Sequence, residues 1–200
     1  MRKNFEALQK TAANHVPLSP LSFLRRAESL HAERTAVIYG DIRRSWAETS
    51  ARVRAVAAGL VGLGVQKGDT VSVLSPNIPE LFELHFALPL TGAVLNTLNT
   101  RLEPETIAYI LDHADTKLVI VDRELVHLLS KAFDHLGRTL PVVEIADPGA
   151  PGESLGGTTY DTLTGSTPLP ILLPEDEWNA IALNYTSGTS GRPKGVVYHH

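Results

Sequence analysis

The sequence contains no cysteine, which excludes a disulfide framework, a thiolate-bound metal and a cysteine nucleophile, and fits a reducing compartment, the cytoplasm. Positive charge is also scarce. The 18 Lys and Arg are outnumbered by 22 Asp and Glu, for a net charge of -4, and the basic residues are scattered along the chain. Binding nucleic acid requires a basic excess to neutralise phosphates, so nucleic acid is not an expected partner. No hydrophobic run is long enough for a bilayer. The greasiest stretch, Leu81 to Leu95, is interrupted by Glu83 and His85 and falls short of the roughly 20 apolar residues that a membrane span needs; a buried helix is expected there. Near the start, polar Gln9, Lys10, Asn14 and His15 stand where an export signal would need an apolar region, so none is expected. There is no internal repeat.

What remains is an ordinary globular composition, 43% hydrophobic and 20% charged over 200 residues, sufficient for a sizeable core. After a lead-in punctuated by Pro17 and Pro20, the pattern predicts a helix from Ser22 to Leu30 and a β-branched strand, Thr35 to Tyr39. Gly40-Asp41 turns that strand into a hairpin. Ser45 with Glu48 forms a capping-box pair. Val53, Val56, Ala57, Leu60 and Leu63 then repeat at helical spacing up to a glycine stop at Gly64. A strand at Thr70–Leu74 follows, then a helix opened by Pro79 and Glu80, whose proline and acidic first turn suit a helix start. Further helices are expected near Glu105–Asp115 and Glu124–Leu136, with strands at Leu118–Val121 and Pro141–Ile145. This alternation predicts an α/β fold with a largely parallel sheet flanked by helices.

From Asp147 to about Pro174 the composition shifts to Pro, Gly, Ser and Thr. It reads as a loop-rich linker with one short element around Tyr160–Leu163. The expected organisation is therefore one incomplete large domain over residues 1–200. Within it, 16–146 form a first α/β subdomain, 147–174 a linker, and 175–200 the start of a next sheet. The chain stops at Tyr198-His199-His200, straight after a β-branched run, and reads as cut there.

The chemistry concentrates in one window. Asn179–Asn184 reads as a buried strand, Val196–Tyr198 as a second, and between them lies Tyr185-Thr186-Ser187-Gly188-Thr189-Ser190-Gly191-Arg192-Pro193-Lys194-Gly195. Binding phosphate takes backbone N–H groups that can approach closely, which glycine permits, together with hydroxyl donors and a fixed positive charge. Thr186, Ser187, Thr189, Ser190 and Lys194 provide the last two. This is not a Walker A loop: Lys194 follows Pro193, is followed by Gly195, and no helix is expected to begin there. The plain alternative for any Gly/Ser/Thr loop is a solvated hairpin connection.

The full string resembles the AMP-binding signature of the adenylate-forming superfamily, with Ser190 in place of the usual threonine and the hydroxyl kept. Val16-Pro17-Leu18-Ser19-Pro20-Leu21-Ser22-Phe23-Leu24, Ser75-Pro76-Asn77 and Gly92-Ala93-Val94-Leu95-Asn96-Thr97-Leu98-Asn99-Thr100-Arg101-Leu102 look like its acyl-CoA synthetase branch for short- and medium-chain acids, including methylmercaptopropionate- and benzoate-type ligases. The resemblance implies that Thr186, Ser187, Gly188, Thr189, Ser190 and Gly191 wrap the β- and γ-phosphates of ATP, and that Lys194 is catalytic, balancing charge as pyrophosphate leaves. It implies ATP, Mg2+, CoA and a carboxylic acid as reaction partners, and it is compatible with a homodimer. The adenine site, the magnesium-binding Glu and the small C-terminal domain lie downstream in that family, so the 200 residues alone are expected not to adenylate. An enzyme that loads a carrier-protein thiol, or a non-catalytic nucleotide-binding module, would share every residue quoted.

Other polar residues carry plainer readings. Asn96, Asn99 and Arg101 follow an apolar helix, where an Arg can face a nucleotide cleft, but such groups more often satisfy backbone in a turn. His199 and His200 fall where the family often has a His near the acyl pocket, although such a pair is more often structural. His85, His113, His127 and His135 show no metal-ligand spacing, so no metal site is expected and solvated or core histidines are. Asn184-Tyr185-Thr186 matches a glycosylation pattern but lies inside the proposed loop.

Overall fold

From the third strand of the chain to the sixth, each is joined to the next by a helix, and a parallel sheet results. The computed structural model describes residues 9–186 and 191–200. Helix α1 (Pro20–His31) is capped by Ser19, whose Oγ accepts the Leu21 N–H. Strands β1 (Thr35–Tyr39) and β2 (Ile42–Ser45) form a separate antiparallel hairpin with Tyr39 opposite Ile42. Helix α2 (Trp46–Gly62) starts at the expected capping box, in which Ser45 Oγ accepts the Glu48 N–H and Glu48 accepts the Ser45 N–H. Then come β3 (Thr70–Leu74), α3 (Pro79–Thr91), β4 (Val94–Thr97), α4 (Pro104–His113), β5 (Thr116–Asp122), α5 (Val126–Leu136) and β6 (Val142–Ile145). The chain continues with β7 (Thr158–Thr159), α6 (Tyr160–Thr164), β8 (Ala180–Thr186) and β9 (Lys194–His199).

The main sheet has the order β7-β6-β5-β3-β4-β8-β9. Strands β3 to β8 pair in parallel, and β9 alone runs antiparallel, against β8. This is the α/β architecture the alternation predicts. Both faces are covered, so period-two side chains divide between two cores. On β5, Leu118 and Ile120 join the face packed by α2 and α3, with Val53, Leu60, Leu84 and Leu88. Val119 and Val121 join the face packed by α4 and α5, with Ile107, Leu111 and Leu129.

Two findings modify the expected layout. The 147–174 stretch is not only surface loop, because β7 extends the sheet beside β6, and Tyr160 and Leu163 of α6 are buried in the first core. The short element expected around Tyr160–Leu163 is α6, and its two buried side chains anchor the stretch to the core. Residues 175–200, for their part, extend the same sheet: β8 lies parallel to β4 with Leu95 opposite Ala182.

A buried carboxylate fastens four of these elements. Glu83 of α3 is fully enclosed; it accepts Arg52 Nε of α2 at 2.6 Å, Arg44 Nη1 of β2 at 3.0 Å and the Tyr160 hydroxyl of α6 at 3.0 Å. Burial, reinforced by the Glu83 charge, pushes the Tyr160 hydroxyl well above its ordinary value, so it stays a proton donor. A buried carboxylate is tolerated because its oxygens are occupied by donors of opposite charge.

Helix α2 meets α6 through Gly59, where an added Cβ would lie 2.9 Å from both Cα and Cβ of Leu163. Helix propensity favours alanine over glycine by about 1 kcal/mol, but overpacking here costs about 1–3 kcal/mol. Gly59→Ala is therefore expected to lower stability, read as a lower urea midpoint for the full-length parent. A higher midpoint would show that α6 moves aside freely.

Candidate active site

In a parallel sheet every strand ends at the same edge, and the crevice outside those carboxyl ends is where open α/β sheets bind ligands. Strands β3, β4 and β8 end beside one another and are followed by Ser75-Pro76-Asn77, Leu98-Asn99-Thr100 and the glycine-rich loop. These segments line a cleft of about 1040 Å3, walled by α4 through Thr106 and Ile110 and by the loop stems through Tyr185, Thr186, Gly191 and Pro193.

Its polar lining consists of hydroxyls (Ser75, Thr97, Thr100, Thr106, Tyr185, Thr186) and amides (Asn77, Asn99, Asn184), and among the described residues no carboxylate faces it. A neutral, donor-rich crevice opposes an anionic ligand far less than an acidic one would. At its floor Thr97 Oγ1 donates to Asn184 Oδ1 at 2.9 Å, tying β4 to β8. Among the described residues no group of three His, Asp or Glu side chains is disposed to hold a metal ion.

The loop stems are defined by strand pairing. Thr186 ends β8 and stands opposite Lys194, which begins β9; both are exposed. Gly191 has φ +128°, a conformation that L side chains rarely adopt, and it lines the cleft. Gly195 packs so closely that a Cβ would lie 2.9 Å from Leu183 Cδ1. Ser187, Gly188, Thr189 and Ser190 lie outside the described residues. Of the loop residues singled out in the sequence, Thr186 and Gly191 line the cleft, while Lys194 stands opposite Thr186 and is not among the residues lining it.

Tyr185 is held from the side by α4. Its hydroxyl shares a 2.7 Å hydrogen bond with His113 Nδ1, and the two rings meet edge to face with centroids 5.7 Å apart. Burial, then the neighbouring Tyr109, raises the Tyr185 hydroxyl above its ordinary value. His113 is exposed, as the solvated reading of the sequence expects, and adds this contact to the loop stem. A spacing of 72 residues gives no sequence signal for this contact.

The remaining polar residues mostly follow their plain readings. Asn99 Oδ1 accepts the Arg101 N–H in a turn, while exposed Arg101 is not part of the cleft lining. Asn96 is buried in the sheet and donates to Ser72 Oγ at 2.8 Å. His85 and His127 bond to backbone carbonyls at Leu81 and Glu124. His199 bonds to the Glu177 carbonyl and stacks on Trp178. His200 Nδ1 meets Ser19 Oγ at 2.9 Å, and burial, with the His199 charge second, lowers its pKa, which favours the neutral ring. Sequence reasoning missed Asn77, Thr97 and Asn184 as cleft residues; their only signal was a position at or just after the end of a parallel strand.

Residues 23–200 match the family model described as AMP-binding enzyme. Over 98% of its length the chain is 42% identical to the Trans-cinnamate:CoA ligase, peroxisomal, of Petunia hybrida. Over 94% it is 43% identical to the Benzoate--CoA ligase, peroxisomal, of Arabidopsis thaliana. The chain spans 37% and 34% of the lengths of these two relatives. Among solved structures, the anthranilate CoA ligase AuaEII in complex with anthranoyl-AMP superimposes with a TM-score of 0.83 at 25% identity, covering 96% of this chain and 36% of that one.

The Thr97–Asn184 bond generates a stability expectation. Thr97→Val keeps the side-chain shape and removes the donor, so a loss of about 1 kcal/mol is expected, with faster amide exchange in β8 than in β3. Unchanged β8 exchange would show that backbone pairing alone holds the cleft floor.

Proposed function

The chain belongs to the AMP-binding enzyme family, and on that premise we propose that its parent is an ATP-dependent acyl-CoA synthetase acting on a small carboxylic acid. The observation that carries this reading is that the stems of the hydroxyl- and glycine-rich loop, Tyr185, Thr186, Gly191 and Pro193, line a cleft at the carboxyl ends of parallel strands.

In the proposed reaction a carboxylate oxygen attacks the α-phosphorus of ATP, the bond to the β-phosphate oxygen breaks, and pyrophosphate departs with the electron pair. The resulting acyl-adenylate is then attacked at its carbonyl by the CoA thiol, which loses its proton as AMP leaves. Thr186 through Gly191 would cradle the β- and γ-phosphates with backbone N–H and hydroxyl donors. Lys194, at the start of β9 and exposed to solvent, would offset the negative charge that builds on the leaving group. Among the described residues no carboxylate lines the cleft, and Mg2+ would enter as a companion of the nucleotide phosphates, neutralising charge on the leaving group.

Short- and medium-chain fatty acids are the proposed substrate class, and the cinnamate and benzoate named for the relatives make aromatic acids the class to test beside them. The same names support CoA over a carrier-protein thiol as acceptor. The cysteine-free composition suits the cytoplasm as compartment; the word peroxisomal in both relatives' names sets the alternative, which fractionation of the full-length protein decides.

Carboxylate-dependent ATP–pyrophosphate exchange by the full-length parent, over a panel of these acids, tests the reading. Exchange with one acid class, followed by CoA-dependent AMP release, is expected, with none from the 200 residues alone. Lys194→Ala is expected to lower exchange by about 10²–10³-fold with the melting temperature unchanged. Full exchange by that variant would remove Lys194 from the chemistry, and no exchange by the folded parent with any acid would favour a non-catalytic nucleotide-binding module.

A further inference from the structure

Both stems of the glycine-rich loop contact one helix. On the β8 side, Tyr185 shares its 2.7 Å hydrogen bond with His113 Nδ1. On the β9 side, the Arg192 guanidinium carbon lies 5.2 Å from the centroid of the Tyr109 ring, within the range of a cation–π interaction. Tyr109 and His113 stand at i and i+4 on α4, so they share a helix face, and their rings pack with centroids 5.4 Å apart. The sequence of contacts Arg192–Tyr109–His113–Tyr185 is therefore continuous from one stem to the other.

The helix that carries this chain of contacts is rigidly seated. Ile107, Ile110 and Leu111 are buried against the second core, and the neighbouring face of α4 supplies Thr106 and Ile110 to the cleft wall. Contact with α4 therefore fixes the stems relative to the cleft as well as to each other. Arg192 itself is exposed and is not among the residues lining the cleft, so its contact with Tyr109 gives it a role other than touching a ligand there.

We propose that Tyr109 and His113 are positioning residues that hold the two stems of the loop against α4, through Arg192 and Tyr185, so that the stems are preset for the nucleotide. The proposal rests on the function proposed above. Stems held in place in the free enzyme favour tighter binding than stems that must first be gathered, because apparent affinity scales with the population of the competent state.

The test uses the full-length parent and four variants, read by ATP–pyrophosphate exchange. Tyr109→Leu removes the ring and is expected to raise the KM for ATP by about two- to fivefold, the size of an exposed cation–π contact, with kcat unchanged. Tyr109→Phe keeps the ring face and is expected to behave as wild type. Arg192→Leu, at an exposed position where folding is not at stake, is expected to match Tyr109→Leu, and the double variant to add nothing further. Equal effects from the Leu and Phe variants, a fall in kcat alone, or additivity in the double variant would overturn the proposal.

Hydrogen exchange of the peptide spanning 185–194 in the nucleotide-free parent judges the contact independently of activity. Faster exchange in Tyr109→Leu but not in Tyr109→Phe supports the anchoring, and equal exchange refutes it. A parent that fails to adenylate would therefore refute the proposed function while the exchange data still decide the anchoring.

Discussion

Parallel pairing is the constraint on which the rest of this structure depends. Two parallel neighbours cannot be joined by a tight turn, so the chain must cross back over the sheet through a helix before each new strand. Strands β3 to β6 obey this in series, β7 follows β6 through a loop instead, and because β3 to β8 all pair in parallel their carboxyl ends fall on one edge. The cleft is a product of that rule: Ser75-Pro76-Asn77, Leu98-Asn99-Thr100 and the glycine-rich loop share no sequence neighbourhood, yet all follow strands that end together. Among the described strands of this sheet, β9 runs antiparallel, turning back beside β8 and so placing Lys194 opposite Thr186.

Burying both faces of the sheet leaves few places for charge, and those that exist are tied down. Glu83 takes two arginines and a tyrosine hydroxyl from three other elements. Glu144, also buried, accepts Arg123 Nε and the backbone N–H groups of Leu155 and Gly157. Burial raises the proton affinity of Glu144, but the hydrogen bonds, led by that from Gly157, outweigh it and hold the carboxyl below its ordinary value. Through these contacts the polar stretch after β6 is drawn back onto the sheet edge, and α6 is delivered to its place over Gly59 of α2.

Most of the helices and strands were legible in the sequence because their signals are local. Ser45 and Glu48 announce a helix start, and the periodic Val53, Val56 and Leu60 announce its buried face. Alternating residues 118 to 121 announce a strand covered on both sides. The 147–174 stretch was less legible because two buried side chains, Tyr160 and Leu163, do not outweigh the surrounding Pro, Gly, Ser and Thr in composition. The loop stands out in the sequence as glycines, hydroxyls and a lysine within one short window, and its two stems are where β8 ends and β9 begins.

By itself, then, the sequence determined the alternation of strand and helix, the absence of disulfides, and the gathering of glycines, hydroxyls and a lysine between two strands, since each depends on residues within a few positions of one another. Only the tertiary structure decided that β8 lies against β4, that Thr97 meets Asn184, that His113 reaches Tyr185, and that Arg192 lies over Tyr109. Those pairs join residues 72 to 87 positions apart. Their meeting follows from the order in which strands assemble into the sheet, which no local pattern of residues encodes.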